Sequence, residues 1–83
     1  MHRINGPGQI GGILISRRKA LGISQATLAA KLAISQQRLS ELEKQPGSLT
    51  VERLMAWLNL LNLDISIDES NAVRDKYSTR VEW

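Results

Sequence analysis

The sequence predicts a mainly α domain of four short helices followed by one β-strand that pairs with its own copy across a homodimer. Two observations carry the helices. The phrase Ile23-Ser24-Gln25-Ala26-Thr27-Leu28 returns eleven positions later as Ile34-Ser35-Gln36-Gln37-Arg38-Leu39, and in looser form as Leu49-Thr50-Val51-Glu52-Arg53-Leu54. A further apolar series at helical spacing precedes the first copy. The strand rests on Leu63-Asp64-Ile65-Ser66-Ile67-Asp68, where apolar and polar residues alternate strictly.

In the first helix, over residues 9–21, the apolar row is Ile10, Ile13, Leu14, the stem of Arg17, and Leu21. Gly22 supplies the left-handed residue that helix ends favour. Gly11 and Gly12 cost this helix about 1 kcal/mol each relative to Ala, so its start either frays or makes a close backbone approach. Residues 1–8, with Gly6-Pro7-Gly8, read as a flexible arm.

Helices two and three follow from the repeated phrase. A Ser at the N-cap accepts from an otherwise unpaired backbone N–H, and the Ile before it reaches the Leu five residues on. The second helix spans residues 25–32, with Leu28, Ala29 and Leu32 inward. A turn near Ala33 leads to the third, over residues 36–44. Two helices starting eleven residues apart have the spacing of a helix-turn-helix unit, a spacing shared with plain αα-hairpins that have no DNA role. On the third helix Leu39 and Leu42 point inward. Gln37, Ser40, Glu41 and Lys44 point outward, with Gln36 and Arg38 flanking them near its start. Paired Gln side chains there suit adenine edges in a major groove.

Pro46-Gly47 ends the third helix, and the fourth covers residues 51–62 with a core stripe of Val51, Leu54, Met55, Leu58 and Leu61. Trp57 and Leu60 fall outside that stripe. They predict either a partner chain or a loop or tail folded over them. A lone strand leaves its backbone groups unpaired, so Leu63, Ile65 and Ile67 join Trp57 and Leu60 in the expected dimer interface. The domain thus covers residues 9–68. Residues 69–83, mixed in charge and without apolar period, read as a flexible tail ending on Val81-Glu82-Trp83. Its terminal Trp either anchors in a partner's pocket or folds back on its own domain.

The charge is asymmetric. Net charge is +3, but residues 1–45 carry seven basic side chains against two acidic ones, and residues 46–83 four against six. The half with the repeated phrase is therefore the one suited to phosphate, with Arg18 or Lys19 of the Arg17-Arg18-Lys19 run as candidate contacts. Catalysis and metal binding lack ligands: there is one His (His2), no Cys, and no carboxylate pair in a glycine-shaped pocket. No cofactor is expected. No apolar run approaches the roughly 18–20 residues of a membrane span, no signal peptide is visible, and a cytoplasmic location is expected.

Gln25, Leu28-Ala29, Ile34-Ser35-Gln36-Gln37 and Leu42-Glu43 resemble the Xre/Cro-type helix-turn-helix family of lambda-repressor-like regulators. Over the whole chain, Pro7-Gly8-Gln9-Ile10, the apolar fourth helix, the single strand and the terminal Glu82-Trp83 resemble the HipB-like antitoxins within it. That resemblance implies a homodimer on a palindromic operator, repressing its own operon and binding a HipA-type serine/threonine kinase toxin. It further implies that Gln36, Gln37 and Ser40 read bases, that Gln25 and Ser35 hold phosphates, and that Trp83 engages the toxin; Arg38, Lys44 and Arg18 are expected as further backbone contacts. A stand-alone repressor and a protein-interaction module without DNA readout stay open as alternatives.

Overall fold

Three N-caps of one geometry place the last three helices in the computed structural model, which describes residues 3–69. The helices are α1 (Pro7–Ala20), α2 (Gln25–Lys31), α3 (Gln36–Lys44) and α4 (Val51–Leu60), with a 3-10 turn at Pro46–Ser48. Ser24, Ser35 and Thr50 share extended backbone with ψ of 159°, 156° and 155°. Each hydroxyl accepts from the N–H three residues on, at 3.1, 3.0 and 3.1 Å. Such caps each contribute about 1 kcal/mol.

The helix ends repeat as well. After α1, Gly22 N–H donates to Lys19 O and Ile23 N–H to Arg18 O; after α2, Ala33 N–H donates to Ala30 O and Ile34 N–H to Ala29 O. After α4, Asn62 N–H and Leu63 N–H donate to Asn59 O and Leu58 O. Each is the paired closure that follows a left-handed residue, here Gly22 (φ 70°), Ala33 (φ 59°) and Asn62 (φ 54°). Ile23 and Ile34 therefore do two jobs: each closes one helix and, one residue before a Ser cap, opens the next. Both pack on the core. The repeated phrase is thus the visible part of a longer repeated turn that begins at Leu21 and Leu32.

α1 starts two residues before the expected position, because Pro7 at its first turn has the helical φ built in. The arm is shorter than expected for the same reason. Gln9 Oε1 accepts from Asn5 N–H and from Gly6 N–H (3.1 Å), and its amide donates to Arg3 O (3.3 Å), tying residues 3–6 to the helix. Gly11 makes the close approach: a Cβ there would lie 2.6 Å from Glu43 O and 3.1 Å from Pro46 Cγ. Gly12 faces open space.

The core consists of Leu14, Leu28, Ala29, Leu39, Leu42, Trp57 and Leu61. Trp57 corrects the expectation for α4: it is fully buried within its own chain and does not present itself to a partner. Two overlapping apolar rows run along this helix, 51/54/55/58 and 54/57/58/61. The second carries the indole and has more area to remove from water. It turns inward, leaving Val51 76% and Met55 40% exposed. The Trp57 Nε1–H has no hydrogen-bond partner among the described residues. Among those residues no strand forms. Residues 63–68 pair with no other described segment, and Ile65 and Ile67 stand 48% and 90% exposed. The tail expectation falls outside the described residues.

Of the three left-handed positions among the described residues, Ala33 alone is filled by neither Gly nor Asn, the residues that tolerate that conformation, at a cost of about 1 kcal/mol. Ala33→Gly is expected to raise the melting temperature by several degrees, and Gly22→Ala to lower it, in thermal unfolding followed by circular dichroism.

Candidate nucleic-acid interface

α3 packs against both α1 and α2. Leu39, Leu42 and Glu43 are buried, so the opposite side of the helix must face out. Gln36, Gln37, Arg38, Glu41 and Lys44 are exposed and Ser40 is half-buried. Gln25, at the start of α2, joins Gln36, Gln37, Ser40, Glu41 and Lys44 in lining one shallow, open depression. Five of the expected DNA-facing residues thus share a surface although eleven positions separate Gln25 from Gln36.

Ser35 lies beside that surface, its Oγ engaged as an acceptor in the cap while its O–H proton stays available for donation. Arg38 reaches the lining residue Glu41, with Nη1 3.4 Å from its Oε2; both side chains are about half exposed.

Arg18 is a correction. Expected as a phosphate contact, it is 8% exposed and turned inward. Its Nε donates to Glu43 Oε2 at 2.7 Å and its Nη2 to Glu43 Oε1 at 3.3 Å, while Nη1 reaches Ile23 O at 3.0 Å. Gln25 Nε2 donates to the same Glu43 Oε1 at 3.0 Å. The Arg18–Glu43 pair therefore links α1, the first turn, α2 and α3, and its carboxylate fixes the Gln25 amide at the rim of the depression. Arg17 is also engaged, its Nε donating to Leu61 O at the end of α4 (2.9 Å), where a cation meets unpaired carbonyls. Of the basic run only Lys19 is fully outward.

The signal for this ion pair was present in the sequence. Arg18 stands on the Ile10–Leu14 row of α1, and Glu43 four residues after Leu39 on the inward row of α3. Opposite charges on two apolar rows meet when the rows pack. Of the expected dimer residues, Leu60 is 37% exposed, Leu63 half-buried, and Ile65 and Ile67 exposed, while Trp57 is core. Ile65 and Leu63 border a groove of about 220 Å³ that Ile4, Ile10, Ile13, Leu54 and Leu58 also line. Trp83 lies outside the described residues. Among those residues no His/Cys/Asp/Glu group suited to a metal occurs, and no helix is long and apolar enough to cross a membrane.

Two capped helices joined by a tight turn, the second presenting a polar outer face, define a helix-turn-helix module. A family model described as Helix-turn-helix (HTH_3) matches residues 14–67, about two thirds of the chain, and the chain belongs to that Xre/Cro-like family. Membership points to a sequence-specific DNA-binding regulator of transcription. A comparison with curated proteins finds no match.

Because Arg18 and Glu43 are buried, removing one partner strands the other. Arg18→Met is expected to cost about 3–5 kcal/mol in urea unfolding, and the double change Arg18→Met with Glu43→Leu to recover much of that loss.

Proposed function

We propose that this chain is a homodimeric repressor that binds a palindromic operator through α3 and serves as the antitoxin of a HipA-type serine/threonine kinase toxin. The observation that carries the DNA-binding part is the single open face shared by Gln25 and the outer side chains of α3. With α3 in the major groove, Gln36 and Gln37 each offer an amide that can pair bidentately with adenine N6 and N7, and Ser40 a hydroxyl that suits several base edges. Gln25 keeps a second amide N–H beyond the one given to Glu43. That proton, the Ser35 hydroxyl, Lys44 and Arg38 are the phosphate contacts that fix register.

The homodimer reading rests on Leu63, Ile65, Ile67 and Leu60, with Val51 and Met55 taking the outward apolar place expected of Trp57. Pairing residues 63–68 with the same segment of a second copy would satisfy their backbone groups and cover these side chains. Two α3 helices would then address half-sites about one helical turn apart. The toxin reading rests on the resemblance to HipB-like antitoxins and assigns Trp83 to the toxin contact. The family match stops at residue 67, before that tail.

Footprinting on the chain's own promoter across a salt series tests the DNA-binding reading. Two protected half-sites are expected, with log affinity falling against log salt by about 0.9 per phosphate neutralised. Gln36→Ala should relax preference at one base pair per half-site, by roughly 1–3 kcal/mol of discrimination. Absent or salt-insensitive binding would favour a protein-interaction module, and a single half-site would remove the dimer. Deleting residues 81–83 should leave operator binding intact and weaken capture of a co-expressed HipA-type kinase. Unchanged capture would leave a stand-alone repressor.

A further inference from the structure

Gln37, Ser40, Glu41 and Lys44 follow one another at i, i+3, i+4 and i+7, so they form a single stripe along the exposed side of α3. All four line the depression that Gln25 and Gln36 complete. Glu41 is the one acid in that stripe, since Glu43 is buried beneath Arg18 and Gln25. A carboxylate on a surface that faces phosphates is repelled by every DNA alike unless it meets a donor there. Its partner within the chain is Arg38 at 3.4 Å, an exposed i,i+3 pair with side chains 50% and 56% accessible. Such pairs contribute little and are readily given up.

Resting on the DNA-binding reading above, we infer that Glu41 is a base-reading residue that selects cytosine. A carboxylate only accepts hydrogen bonds. In the major groove cytosine offers a donor, its N4 amino group. Adenine sets its amino group beside the N7 acceptor, while guanine and thymine present acceptors at the corresponding edges. Opposite guanine or thymine Glu41 faces only lone pairs, and opposite adenine it meets the N7 lone pair beside the amino group, so repulsion adds to the discrimination that the correct contact gives. The rise from position 37 to 41 is about 6 Å, close to two base-pair steps, so Gln37 and Glu41 address different base pairs. When Glu41 turns to cytosine it releases the Arg38 guanidinium, which then has a phosphate to go to. The exchange trades one exposed ion pair for a base contact and a phosphate contact together.

Selection from a randomised double-stranded DNA library, run with the wild-type chain, Glu41→Gln and Glu41→Ala, tests this. The wild type should enrich cytosine at one position per half-site. Glu41→Gln should move that position toward adenine, with a relative-affinity change of about 5- to 150-fold, while Glu41→Ala flattens it and the other positions keep their preferences. Circular dichroism should show both variants folded, since Glu41 makes no core contact. An unchanged base profile in both variants, even with higher overall affinity, would overturn the inference and leave Glu41 as a general electrostatic brake. No enrichment by the wild type would overturn the DNA-binding reading and this inference with it.

Discussion

Glu43 is gripped at both ends. Its carboxylate takes two bonds from Arg18 and one from Gln25, and its carbonyl oxygen lies against Gly11, where α1 has no side chain to hold it off. The angle between α3 and the rest of the domain is therefore set at one residue, by a charge that cannot leave its partner without being stranded in a buried place. Burying an ion pair is not in itself a strong source of stability, because desolvation offsets much of the attraction. What it supplies is orientation. Apolar side chains tolerate sliding against one another, whereas a two-point contact between guanidinium and carboxylate does not. The same carboxylate holds Gln25 at the face beside α3, so the frame and the candidate surface meet at Glu43 Oε1.

Around that fixed point the chain uses one local solution repeatedly. A helix ends on a left-handed residue, a branched or long apolar residue closes it, and a Ser caps the next helix. This happens at Gly22-Ile23-Ser24 and again at Ala33-Ile34-Ser35. Local hydrogen bonds satisfy both helix ends within four residues, and the Ile in the middle ties the turn to the core. Such turns cost little chain and leave little freedom, which is how four helices are held in defined places between Pro7 and Leu60.

Features governed by local chemistry were legible in the sequence. The caps at Ser24, Ser35 and Thr50 fall where the repeated phrase puts them, α3 has the expected bounds, and its outward face carries the expected Gln and Ser side chains. Features that depend on how elements meet were not. Arg18 looked like a surface cation because its neighbours Arg17 and Lys19 are basic; its place on the Ile10–Leu14 row marks it as inward, but that it meets Glu43 there is fixed by how α1 packs on α3. Trp57 lay outside the apolar row that a helical wheel centres on, since two rows overlap on α4 and sequence alone does not say which one the other helices demand. The segment 63–68 keeps its alternating pattern, but among the described residues it forms no strand, because alternation alone does not supply a pairing partner.

The outward row of α3 has a consequence for how such proteins diversify. Gln36, Gln37, Ser40 and Glu41 take no part in the buried contacts that hold the helices together. If these side chains read the target as proposed, a duplicated copy can exchange them and acquire a new one while its scaffold stays as it was. On the proposed reading, recognition and foldability evolve on largely separate sets of positions, joined through Gln25 and the capping Ser35.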